Sequence, residues 1–165
     1  MSALFEQGGA TLWAILFASI LLWILIIERY WAHFRELPVL RARLYEEWKN
    51  RRAMGEYQSF TRIQALVGDL RAEASRNLPA LNALTTILPL LGLLGTVSGM
   101  IKVFDVITVF GSGNTRGMAF GISEALVTTM AGLFTALAGL YFVSDLESRA
   151  QELARRFEAE LVEEQ

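Results

Sequence analysis

Three long stretches without charge set what this 165-residue chain can fold into. No Asp, Glu, Lys or Arg lies between Glu6 and Glu28, or between Arg76 and Lys102. From Gly117 to Ser144 the one charged residue is Glu124. Each stretch reaches the roughly 20 residues that a helix needs to cross about 30 Å of hydrocarbon. The expectation is an all-α, three-span integral membrane protein, with spans near 10–30, 82–107 and 118–143. The competing reading is a soluble bundle with very apolar core helices. It fits poorly with a hydrophobic content of 53% gathered into blocks.

The basic residues are unevenly placed. Ten of the fifteen Lys and Arg lie from Arg29 to Arg76, and Arg149, Arg155 and Arg156 lie in the tail. Lys102 and Arg116 flank the short loop between the second and third spans, and no base precedes the first. Positive residues collect on the cytoplasmic side. The amino terminus is therefore expected outside and the carboxyl terminus inside a bacterial inner membrane. The opening residues lack the basic segment of a cleaved signal, so the first span is expected to remain as an anchor. With no Cys and one His, disulfides and thiolate metal sites are excluded. No cofactor or metal is expected.

Trp13, Tyr30 and Trp31 read as interfacial anchors of the first span, and the deeper Trp23 as a packing residue. Past Arg29 the helix is expected to continue, because Leu37, Leu40, Leu44 and Trp48 recur at steps of three and four. Gly55 is a plausible break. Phe60, Ile63, Val67 and Leu70 then form a second apolar face leading to Asn77-Leu78-Pro79. The segment 32–78 reads as a cytoplasmic helical hairpin that packs on neighbours. The tail, 144–165, continues the third helix with Leu146, Ala150, Leu153, Phe157 and Leu161. These stripes suggest self-association, with packing inside the chain as the alternative. Gly111-Ser-Gly-Asn114 is the clearest turn and makes the second and third spans antiparallel neighbours.

On the second span Gly92, Gly95, Thr96 and Gly99 share one small face. On the third, Gly121, Glu124, Thr128, Ala131/Gly132, Thr135 and Ala138/Gly139 share another, with Leu126, Met130, Leu133, Leu137 and Leu140 mostly opposite. Small faces permit close helix packing, which accounts for the glycines. It does not account for Glu124. A carboxyl group at membrane depth costs roughly 2.5–3.5 kcal/mol by insertion scales. Counted from the span ends, Glu124 and Thr96 fall at one level, and Thr129 lies one residue round the helix from Thr128. A carboxyl group so placed can load and release a proton, or serve as neutral helix glue.

Gly92-Leu-Leu-Gly-Thr-Val-Ser-Gly-Met100, followed by Gly121-Ile-Ser-Glu-Ala-Leu-Val-Thr-Thr-Met-Ala-Gly-Leu133, closely resembles the ExbB/TolQ/MotA proton-channel family. The match runs from about Leu78 to Ser144, and three spans with an external amino terminus are most like ExbB and TolQ. The resemblance implies a homopentamer enclosing two helices of an ExbD- or TolR-like single-span partner. It also implies that proton flow drives motion, loading a TonB- or TolA-like protein. By motif position Glu124 matches the family's intramembrane glutamate, and Thr96 and Thr129 its pore-facing threonines. Gly92, Gly95, Gly99, Gly121, Thr128 and Thr135 are expected to line the pore or pack helices. The main proton carrier is implied to be an aspartate of the partner. Ala138 stands where relatives often carry proline, and the segment 32–78 is short for the family.

The resulting expectation is a non-enzymatic proton-channel subunit of an ExbB-type motor for TonB-dependent transport. The alternatives are a TolQ-like subunit of the Tol-Pal system and a non-conducting scaffold. Lys102 and Asp105 read as a local i,i+3 pair or headgroup anchor, and His33 as an interfacial residue. Membrane lipids are expected contacts. Nucleic-acid binding is unsupported, and no HExxH, phosphate-binding loop or activated nucleophile is present.

Overall fold

The computed structural model describes residues 9–53 and 59–163 as four helices. These are α1 (Gly9–Ala53), α2 (Ser59–Ser75), α3 (Leu78–Phe110) and α4 (Thr115–Glu163). Stretches long and apolar enough to cross a membrane lie within Gly9–Asn50, Ile63–Phe110 and Thr115–Val162. The break expected at Gly55 lies outside the described residues.

Helix ends follow local chemistry. Gly111 closes α3 at φ +69°, and its N–H donates to the Ile107 carbonyl at 2.9 Å. Glycine enters this left-handed conformation without the steric cost of a Cβ. Asn114 then opens α4, its Oδ1 accepting the Gly117 N–H at 3.1 Å. That bond satisfies one of the donors left orphaned in a first helical turn. Pro79 is the second residue of α3, where a missing N–H leaves no intrahelical bond broken. Pro38 sits inside α1 with its ring on an exposed face, and the helix continues through it.

The chain divides into two compact units. The first holds residues 9–24 of α1 together with Ala80–Tyr141. Its large apolar side chains point outward: Phe17, Leu93, Ile101, Phe104, Met130 and Phe134 are all exposed, Phe134 by 79%. Its buried positions are largely small or slender, among them Ala18, Thr85, Ala125, Thr128 and Ala136. A surface this apolar suits lipid, and an interior this small lets backbones approach. Trp23, expected to pack, is 38% exposed, and Leu22 beside it is fully buried.

The second unit holds Leu25–Pro79 and residues 142–163. Leu37, Leu44 and Trp48 of α1, Ile63, Leu66 and Leu70 of α2, and Leu146, Ala150, Phe157 and Leu161 of α4 are buried in it. These are mostly the stripes that suggested self-association. The alternative holds: three segments with one apolar face each cover one another within the chain. Polar bonds tie the same segments. Tyr30 donates to Asp145 at 2.6 Å, Arg41 pairs with Glu160 at 2.5 Å, and Asn77 donates to Glu28 at 3.2 Å. The buried Arg29 donates to the Glu73 carbonyl near the end of α2, where helix carbonyls lack partners.

Candidate functional site

Glu124 owes its surroundings to the α3–α4 hairpin. Lys102 lies eight residues before Phe110, and Glu124 nine after Thr115. At 1.5 Å per residue both lie about 12–14 Å from the turn, so an antiparallel pair brings them level. Lys102 Nζ donates to both carboxylate oxygens of Glu124, at 2.6 and 2.8 Å. The Glu124 side chain is 1% exposed, whereas that of Lys102 is 48% exposed. A buried carboxylate is tolerable when a counter-charge satisfies it, and removing one partner of such a pair costs far more than the pair contributes.

The start of α1 completes the enclosure. Gly9 has φ +58°, and a Cβ there would collide with Glu124 Oε1 and stand 3.2 Å from Lys102 Nζ. Three helices of the first unit therefore meet at one carboxylate.

The hydroxyl groups of this region are directed at helix carbonyls. Thr96 donates to Leu93 at 2.6 Å. Thr128 bonds to the carbonyls of Glu124 and Ala125, both at 3.0 Å. Thr129 bonds to Ala125 at 3.0 Å and, across the helix pair, to Gly92 at 3.2 Å. Thr135 donates to Ala131 at 2.8 Å. Thr128 is fully buried, while Thr96, Thr129 and Thr135 are half-buried on the flanks.

The glycines lie where α3 meets α4. A Cβ on Gly99 would come within 2.8 Å of both Ala125 Cβ and the Gly121 carbonyl. On Gly92 it would stand 3.3 Å from Thr129 Cα, and on Gly95 it would collide with the Thr128 side chain. Gly121 faces Val103, whose Cγ2 would lie 2.6 Å from an added Cβ.

This register corrects two expectations. Thr96 follows Gly95, which opposes Thr128, so Thr96 lies one helical turn from the level of Glu124. Counting from apolar span ends misplaced it because α3 runs on to Phe110. Lys102, read as a partner of Asp105, instead bridges to α4. Residue-by-residue reading missed this contact, although the matched distance of Lys102 from the Gly111–Asn114 turn was a usable signal. Gly9 gave no sequence signal.

A second polar cluster lies in the other unit. His33, Asp145, Arg149, Glu152 and Arg156 line an open groove of about 440 Å³. Bonds from Arg149 Nε at 2.7 Å and from Tyr30 hold the Asp145 carboxyl below its usual range. Burial, with Arg149 and Arg29 nearby, lowers the His33 imidazole below its usual value. Arg149 and Arg156 are each paired along α4, with Asp145 and Glu152, so the groove offers little net positive charge.

Comparison with known proteins bears on the first cluster. The chain is 29% identical over 168 residues to the biopolymer transport protein ExbB-like 1 of Synechocystis, covering 82% of this chain and 66% of that protein. It is 31% identical over 88 residues to the biopolymer transport protein ExbB of Helicobacter pylori (53% of this chain, 61% of that one). It is 32% identical over 87 residues to the Tol-Pal system protein TolQ of Pseudomonas aeruginosa (53% and 37%). The chain thus spans two thirds or less of the length of each of these relatives. The family model for MotA/TolQ/ExbB proton channels matches residues 38–159, an interval that takes in Lys102, Glu124 and every threonine named above. The chain belongs to the MotA/TolQ/ExbB proton channel family.

Proposed function

We propose that the chain is the proton-channel subunit of an inner-membrane complex that turns proton motive force into mechanical work for TonB-dependent outer-membrane transport. The observation that carries this reading is Glu124: a carboxyl group 1% exposed, deep in an apolar hairpin, in a family of proton channels. One charge crossing the membrane gains about 2.3 kcal/mol per 100 mV, so repeated transfers can drive motion. In this reading Glu124, Thr96 and Thr129 form the polar wall of the proton path, and Gly92, Gly95, Gly99, Gly121, Thr128 and Thr135 shape it. The protomers form a ring, a pentamer, around two helices of an ExbD-like partner, and the complex acts on a TonB-like transducer. The amino terminus is periplasmic, and the 32–78 hairpin and the tail are cytoplasmic.

Two other readings each have an observation in their favour. The similarity to TolQ supports the same physics serving the Tol-Pal system. The closed Lys102–Glu124 pair supports a scaffold in which Glu124 is an interhelical tie. Glu124→Gln separates the last from the first two, because it keeps size and hydrogen bonding but removes titration. In proteoliposomes holding the complex with its partner subunit, the channel reading expects proton flux to be lost while assembly is retained. Unchanged flux from an intact Glu124→Gln complex would leave the scaffold.

A further inference from the structure

The geometry points to Lys102 as a latch that holds Glu124 out of proton exchange, with Asp105 as the anchor that receives it when the latch opens. This inference rests on the proton-channel reading above. The pair is lopsided: Glu124 is 1% exposed while the Lys102 side chain is 48% exposed, so opening proceeds from the lysine side. Lysine carries its charge on a flexible four-carbon stem with three rotatable donors. Asp105 lies three residues on along α3, is exposed, and is within reach as an i,i+3 neighbour. One ammonium thus has two carboxylates to choose from, and the described structure is the closed choice.

Opening and proton uptake are coupled by charge. While Nζ bonds both oxygens of Glu124, each carboxylate oxygen already has a charged donor. Once Nζ leaves, a bare carboxylate at this depth is costly, and taking one proton from water turns it into a neutral carboxyl group. Lys102 is then paired with Asp105. Release of the same proton regenerates the carboxylate and lets Nζ return, and a cycle carries one proton across only when uptake and release face opposite sides of the membrane. Gly9 faces the closed pair from the third side, where a Cβ would meet both Glu124 Oε1 and Lys102 Nζ. A methyl group on Gly9 would press on the end of a flexible side chain, so the carboxylate is what must move.

The test is proton flux in proteoliposomes that contain the complex with its partner subunit, under an imposed membrane potential. Lys102→Gln keeps a donor but removes the charge, and several-fold faster flux is expected. Gly9→Ala leaves both charged groups in place and unseats the pair, and faster flux is again expected. Asp105→Asn removes the open-state anchor, and several-fold slower flux is expected. Lys102→Arg, which keeps the closed pair, stays within about two-fold of the parent protein. Unchanged or slower flux in an assembled Lys102→Gln complex overturns the latch, and if that variant does not assemble, the same outcome in Gly9→Ala does so. Glu124→Gln tells the two ideas apart. If it abolishes flux while the Lys102 and Gly9 variants behave like the parent, the latch alone fails. If it conducts normally, the channel reading fails and the latch with it.

Discussion

At the scale of single residues, closeness of backbone decides which glycines are replaceable. An added Cβ at Gly132 would stand 2.7 Å from the Leu88 carbonyl and 3.1 Å from Gly92 Cα, both main-chain atoms of α3. Neither can swing aside, so the helices must part. At Gly68, on an exposed face of α2, nothing lies within 4 Å. Glycine in a helix interior costs about 0.5–1 kcal/mol relative to alanine. Overpacking a tight contact costs about 1–3 kcal/mol, which exceeds that gain at Gly132. Gly132→Ala is expected to destabilise the protein and Gly68→Ala to stabilise it by about 0.5–1 kcal/mol. Thermal unfolding in detergent, scored by the sign of each change, checks both.

At the scale of elements, the hairpin of α3 and α4 matters most, because its register sets which side chains meet. Its boundaries were readable in Gly111-Ser-Gly-Asn114, and Asn114→Ala is expected to cost about 1 kcal/mol by removing the bond to the Gly117 N–H. Amide hydrogen exchange should report the loss as faster exchange confined to the first turn of α4. The identity of the spans was equally legible, since a charge-free block needs no partner to be recognised. What the sequence did not reveal was pairing across helices. Thr96 and Glu124 looked level because apolar block ends stand in poorly for helix ends, and Lys102 looked like a local partner of Asp105. In both cases the deciding contact came from the neighbouring helix of the hairpin, where Gly95 meets Thr128 and Lys102 meets Glu124. The apolar stripes of α1, α2 and α4 were read correctly as faces, but periodicity alone does not say whether a face is met by the same chain or by another.

At the scale of the whole molecule, the two units respond to different conditions. The first is apolar outside, and among its described residues the buried Glu124 carboxylate is paired with Lys102. The second carries the titrating groups outside the spans. His33 in the folded chain lies below its ordinary value of about 6.5, and Asp145 below the ordinary carboxylate value of about 3.9. For both, the unfolded state binds protons first as pH falls, so stability rises with pH across each window. The contribution of His33 is complete above about pH 6.5 and declines below it, and that of Asp145 declines only below about pH 4. Unfolding temperature is therefore expected to fall from pH 7 to pH 5, and His33→Gln to flatten that slope. An unchanged slope in the variant would mean that His33 does not titrate differently on folding. The apolar stripes of the second unit are largely buried within the chain, whereas among the described residues the first unit leaves many large apolar side chains exposed, and the proposed ring would draw on these.

In the proposed channel, the carboxyl group of Glu124, enclosed by three helices, changes its protonation state as the complex works. Infrared difference spectroscopy of the complex in proteoliposomes, recorded with and without an imposed proton gradient, reads that change directly. The expected result is a protonated-carboxyl band that appears with the gradient and vanishes in Glu124→Gln. A difference spectrum with the same carboxyl bands in the parent protein and in the Glu124→Gln variant would contradict it.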